Sequence, residues 1–185
     1  MSGIDFFKRL LGGQATDNSQ QANLLQAAAG LRTLVVDDSP TIRAVLGKML
    51  GQEGYAVQKA VDGESAIELA KAEQPELIFL DIVLPGVNGF SVLRTLRHDP
   101  LTQHIPIVMI SGNQQATEQF YVQRFGADDF IKKPFGQREV QRSIDQLVRA
   151  ERLPVRVPMP AVTVPAAAAA TPYDELRSTI SGMAA

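Results

Sequence analysis

The chain has 185 residues, 45 % hydrophobic and 21 % charged, with a formal net charge of −2. That is enough for one globular domain of roughly 100–150 residues with segments to spare. A near-neutral balance without a long basic run excludes bulk attraction to nucleic acid or anionic membrane, and the absence of cysteine excludes disulfides, thiolate catalysis and cysteine-held zinc.

No apolar run nears the roughly 20 residues of a membrane helix. The first residues place their basic side chains after the apolar ones, unlike a secretory signal. A cytoplasmic protein is expected.

Residues 1–30 read as an N-terminal extension. Ile4, Phe7 and Leu11 fall on one helical stripe, with Phe6 and Leu10 beside it and Lys8 and Arg9 flanking. This predicts a short amphipathic helix over residues 4–11, followed by a polar, Gln/Ala-rich linker. A helix this short is marginal on its own. It is expected to dock on the rest of the chain, on a partner or weakly on a membrane surface; a disordered tail is the alternative.

Residues 31–151 read as the folded domain. Apolar runs at Leu34–Val36, Leu77–Leu80 and Ile107–Ile110 predict strands, with weaker candidates at Ala56–Ala60 and Asp129–Ile131. Between them apolar residues recur at helical spacing: Ile42, Val45, Leu46 and Met49; Ala66, Ile67, Leu69 and Ala70; Val92, Leu93 and Leu96; Val140, Ile144, Leu147 and Val148. Ser39 followed by Pro40 is a helix start, and Gly51 and Gly54 are expected to stop that helix. Gly86 and Gly89 are expected to serve loop geometry by allowing positive φ. Five strands alternating with five helices predict a doubly wound α/β domain, a parallel sheet covered on both faces. Residues 152–185 contain five of the eleven prolines and a run of alanines, Ala166 to Ala170, and read as a semi-extended tail with a helical patch at Tyr173–Ile180.

In open parallel sheets, ligands sit beyond the carboxyl ends of the strands. Asp37 and Asp38 follow the first apolar run, Asp81 the third, Ser111 the fourth and Lys133 the fifth. Three carboxylates, a hydroxyl and an ammonium are thus expected at one edge. Adjacent carboxylates about 4 Å apart repel by several kcal/mol at an effective dielectric near 20, so their convergence points to a hard divalent cation, Mg2+ or Mn2+. A carboxylate beside such an ion can attack phosphorus, with Lys133 and Ser111 stabilising the transferred group. His98 and His104, the two histidines, read as surface loop residues rather than a metal pair.

The pieces "VVDDSP", "LDIVLPGVNGF", "ISG" and "GADDFIKKPF" occur in order, each at a strand end. Together they resemble the response-regulator receiver domain of bacterial two-component systems over about two-thirds of the chain, in particular the stand-alone receivers of chemotaxis and twitching motility. The resemblance implies a flavodoxin-like sheet of order 2-1-3-4-5 and Asp81 as phosphoacceptor. It implies Mg2+ held by Asp38, Asp81 and the backbone carbonyl of Val83, with Asp37 acting through a bound water. Lys133 and Ser111 would contact the phosphoryl group, Lys132 would point away, and the Lys133–Pro134 bond would be cis. Phe130 falls at the aromatic switch position, and Gln119, Phe130 and Arg142 would mark the output face. A histidine kinase or phosphotransfer protein would be the donor. A tail too short for a DNA-binding module implies signalling by altered protein binding, with no nucleic acid partner and no enzymatic turnover beyond self-phosphotransfer and slow dephosphorylation. The alternatives are a receiver-fold scaffold that is never phosphorylated and acts through its extensions, and an aspartate-dependent phosphatase. Val83 stands where the latter would need a second acid.

Overall fold

The computed structural model describes residues 25–112 and 125–156. Five strands, β1 (Arg32–Val36), β2 (Ala56–Ala60), β3 (Leu77–Asp81), β4 (Ile107–Ser111) and β5 (Asp129–Lys132), alternate with helices α1 (Pro40–Gln52), α2 (Gly63–Glu73), α3 (Gly89–His98) and α4 (Gln137–Arg149). The connection between β4 and β5, where the remaining predicted helix would fall, lies outside the described residues. So do the predicted helix at 4–11, the patch at Tyr173–Ile180 and Gln119.

The sheet has the order β2-β1-β3-β4-β5 with every pairing parallel. Strand side chains alternate between two apolar layers. Val35, Phe79, Val108, Ile110 and Ile131 pack with α1 and α4. Leu34, Val36, Ile78, Leu80, Ile107 and Met109 pack with α2 and α3. Both faces are therefore covered, which explains why β3 and β4 are continuous apolar runs, buried throughout.

Each helix start follows from its local sequence. Ser39 caps α1, its hydroxyl accepting from Ile42 N–H at 3.4 Å, with Pro40 at the first position. Asp62 and Asn88 cap α2 and α3 through Ser65 and Ser91 N–H at 2.8 and 3.0 Å. Glu139 reaches back to Gly136 N–H at 2.8 Å at the head of α4.

Two glycine readings need correction. Gly51 lies inside α1, which runs on to Gln52; the turn is made by Gly54 at φ +86°. Gly86 has the expected positive φ, +69°, but Gly89 does not. It is required for a different reason, its close approach to the backbone at the end of β3. His98 is likewise the last residue of α3 rather than a loop residue.

The chain on either side of residues 31–151 also packs on the domain. Ala27 and Leu153 are buried in the α1/α4 layer, and an antiparallel bridge joins Ala27 to Val155.

Candidate functional site

Because all five strands run the same way, their carboxyl ends share one edge. Asp81 and Ser111 are the last residues of β3 and β4, and Asp37 and Lys133 directly follow β1 and β5. Asp81 is opposite Ile110 and Ser111 is opposite Lys132, so Ser111 lies between Asp81 and Lys133 along this edge. Lys133 N–H donates to the Ser111 carbonyl at 2.6 Å. The Lys133–Pro134 bond is cis, and Lys132 is exposed.

The convergence is tight. Carboxylate oxygens of Asp37, Asp38 and Asp81 lie within 4.8 Å of one another. Lys133 Nζ donates to Asp37 Oδ2 at 2.7 Å and to Asp81 Oδ2 at 2.6 Å. Asp37 and Asp81 are buried, as is Ser111, while Asp38 faces solvent. One ammonium thus faces three carboxylates in a pocket with a polar mouth, leaving an excess of negative charge.

The titration behaviour reflects this imbalance. Burial pushes the Asp81 carboxyl above its ordinary value, aided by the charge of Asp37, and the hydrogen bond from Lys133 does not reverse it. Burial alone would push the Lys133 ammonium down; its hydrogen bonds to Asp37 and Asp81 outweigh that, and the net direction is upward. Hard oxygen donors, excess negative charge and an open side fit a divalent cation that keeps some of its waters. No histidine belongs to the cluster.

Arg43 is a supporting group that no motif marks, and the N–H groups of Ser39 and Val83 hold the acids in addition to the roles expected of those residues. Ser39 N–H donates to Asp37 Oδ1 at 2.9 Å, and the Arg43 guanidinium to the Asp37 carbonyl at 2.6 Å. Both come from the start of α1, whose cap is built from the same residues. Val83 N–H donates to Asp81 Oδ1 at 3.3 Å, and its side chain is 66 % exposed.

Gly89 opens α3 directly against β3. A Cβ there would sit 2.1 Å from the Asp81 carbonyl oxygen and 2.9 Å from Ile82 Cα. Neither is a flexible side chain, so the loop bearing Asp81 would have to move. Gly89→Ala is expected to weaken magnesium binding by about 10–100-fold, as displacement of groups that support metal ligands does. Isothermal titration calorimetry with magnesium chloride checks this, and an unchanged affinity would show that the loop absorbs the methyl group.

Phe130 and Arg142 stand apart from the cluster. Phe130 is half-buried in β5 against the α2/α3 layer, and Arg142 is exposed on α4.

A doubly wound sheet of this order with an acidic pocket and a lysine at its carboxyl edge is the architecture of a receiver domain. The chain belongs to the response regulator receiver domain family, which it matches over residues 33–145. It is 37 % identical to protein PilH of Pseudomonas aeruginosa over 117 residues, covering 63 % of this chain and 97 % of that one. It is 40 % identical over 124 residues to the DNA-binding dual master transcriptional regulator RpaA of Synechocystis, covering 66 % of this chain but 52 % of that protein. The chain thus spans nearly all of PilH and about half of the transcriptional regulator.

Among solved structures, the chemotaxis response regulator CheY4 of Vibrio cholerae matches with a TM-score of 0.60 and 26 % identity, over 65 % of this chain and 98 % of that one. The receiver domain of the sensor histidine kinase PA1611 of Pseudomonas aeruginosa, which has a magnesium ion coordinated in its active site cleft, matches with a TM-score of 0.60 and 29 % identity, over 65 % and 99 %. Among the described residues no helix is long and apolar enough to cross a membrane.

Proposed function

We propose that this receiver takes a phosphoryl group from a histidine kinase or phosphotransfer protein onto Asp81, with magnesium bound at Asp37, Asp38, Asp81 and the Val83 carbonyl, and signals by a change in protein binding. The observation that carries the reading is the contact of Lys133 Nζ with Asp81 Oδ2 at 2.6 Å beside the adjacent Asp37 and Asp38, so that three separate points of the chain meet in one cluster. Phosphotransfer needs an in-line nucleophile and compensation for charge on the transferred oxygens, and little else. Asp81 supplies the carboxylate oxygen that attacks phosphorus while the bond to the donor breaks. Lys133 is already within reach of that oxygen and would follow the charge onto the phosphoryl group. Ser111, one place beyond Asp81 along the sheet edge, offers a hydroxyl. Magnesium, when bound, supplies Lewis-acid neutralisation of the incoming phosphoryl oxygens; the PA1611 receiver supports its presence.

An aspartate-dependent phosphatase would need a second acid two residues after Asp81 to turn over small esters. Val83 occupies that place, so the chain is read as a stoichiometric acceptor rather than an enzyme with turnover. The output through protein binding rests on the likeness to PilH and CheY4, whose lengths the chain covers almost entirely. Phe130, half-buried on the edge strand, and Arg142, exposed on α4, are the described positions through which such a surface would change. The complete set of acids, Ser111 and Lys133 argues against a silent scaffold.

Incubation with acetyl phosphate and magnesium, followed by intact mass measurement, tests the reading. One phosphoryl group should be gained, none in Asp81→Asn, and little when the cation is chelated. An unmodified wild-type mass, or modification that persists in Asp81→Asn, would overturn it.

A further inference from the structure

The end of the sheet away from the acidic pocket carries a device that neither the family match, which spans residues 33–145, nor the site chemistry assigns. Two segments about 130 residues apart in sequence meet there in antiparallel fashion. Ala28 N–H donates to the Pro154 carbonyl at 2.9 Å, and Arg156 N–H to the Gln26 carbonyl at 2.7 Å. These bonds flank the Ala27–Val155 bridge, which makes it a non-hydrogen-bonded antiparallel pair, the geometry in which facing Cα atoms are closest.

Glu53, at the turn between α1 and β2, ties this pair to the domain. Its Oε2 accepts from Gln26 Nε2 at 3.1 Å, and its Oε1 from Gln137 Nε2 at 3.0 Å and Gln141 Nε2 at 2.8 Å. Its carbonyl accepts from the Arg156 guanidinium. Arg156 also donates to Gln26 Oε1 at 2.7 Å and lies over the Tyr55 ring, 5.9 Å from its centroid. Leu25 N–H donates to Asp145 Oδ1 at 2.7 Å. Gln137, Gln141 and Asp145 form one i, i+4 row of α4, so this row is bound end to end by Glu53 and the N-terminal flank. Under the joint lie apolar groups: Ala27 and Leu153 are buried beside Leu31 and Tyr55.

We propose that residues 25–30 and 152–156 form a clasp, centred on Glu53, that makes residues 25–156 one cooperative unit and plants the roots of both extensions side by side, at the pole opposite Asp81. The clasp adjoins the amino ends of β1 and β2, whereas the acidic cluster is at the carboxyl ends, a strand of about 16 Å away.

The chain lacks cysteine, which makes a direct test simple. Ala27→Cys with Val155→Cys in the full chain should close an intramolecular disulfide on mild oxidation, and the oxidised form should melt several degrees above the reduced one. Adding Glu53→Ala should slow closure by about tenfold and raise amide exchange at Ala28 and Arg156 together by a similar factor. Acetyl phosphate labelling of Asp81 should stay within about twofold in Glu53→Ala, because the Glu53 carboxylate bonds Gln26, Gln137 and Gln141 and none of the pocket acids or Lys133. Failure of the cysteine pair to close, or free-peptide exchange at Ala28 and Arg156 in the unsubstituted chain, would overturn the clasp. So would a Glu53→Ala effect confined to one of the two segments. Loss of labelling in the unsubstituted chain would instead count against the phosphoacceptor reading.

Discussion

Phosphotransfer from acetyl phosphate is expected to slow by about 10²–10³-fold in Lys133→Met, the usual loss when one preorganised donor to developing negative charge is removed. Magnesium affinity should move the other way. Lys133 Nζ is bonded to both Asp37 and Asp81, so it competes with any cation for the same oxygens; without it the three carboxylates present a larger charge. Slower labelling with equal or tighter magnesium binding would separate a role on the phosphoryl group from a merely structural one. Equal labelling rates in the two proteins would remove Lys133 from the mechanism.

The same substitution should expose a pH dependence of stability. In the metal-free protein burial already raises Asp81 above its ordinary value of 3.8. A raised folded-state value means that the folded form holds the proton longer than the unfolded chain does. The associated stability is complete below the unfolded value and is lost as pH rises through the folded one. Lys133 restrains that loss, so Lys133→Met should lose more stability than the parent as pH rises from the ordinary carboxylate value towards neutrality in chelator. Asp81→Asn should be flatter than either. Urea denaturation across this range is the measurement, and a parent less stable at the acid end would reverse the sign and refute the assignment.

Asp128→Ala should cost about 2 kcal/mol of folding stability, as leaving a partly buried guanidinium and a backbone N–H without their acceptor does. Asp128 Oδ2 accepts from Arg97 Nη2 at 2.6 Å and from Ile107 N–H at 2.8 Å, and Oδ1 pairs with Arg152 at 2.8 Å. The Arg97 and Asp128 side chains are 16 % and 14 % exposed, so this pair is shielded in a way that surface pairs are not. Burial also lowers the Arg97 guanidinium, an effect Asp128 opposes. Arg97 keeps its bonds to the carbonyls of Gly126 and Ile105 at 2.7 Å each, which limits the loss. Asp128→Asn, which preserves an acceptor, should cost about half as much. Because this network is at the amino ends of β4 and β5, labelling of Asp81 should survive in both variants. A loss under about 1 kcal/mol in urea denaturation would show the pair to be incidental.

Strands buried on both faces were the easiest to read. β3 and β4 are apolar at successive positions, because α-helices cover both sides of them, and no helical period fits such short runs. β2, "AVQKA", was only a weak candidate because it is an edge strand with half-exposed side chains, where solvent removes the need for a pattern. β5 was weak for the same reason. The start of α1 was legible in Ser39–Pro40, since capping is a local hydrogen bond. Its end was misread because Gly51 can remain helical and only the left-handed turn at Gly54 needs glycine.

The amino-acid sequence by itself determined which side chains end the strands, and a parallel sheet then forces Asp37, Asp38, Asp81, Ser111 and Lys133 to one edge. Tertiary structure alone decided how closely Lys133 approaches two of the acids, that Gly89 is needed for contact with the Asp81 carbonyl rather than for φ, and that Ala27 and Leu153 are buried. The physical reason is the range of the forces involved. Periodicity and capping act within a few residues and leave a pattern in the chain. Close approach and burial are properties of two surfaces that meet, and neither surface alone carries their signature.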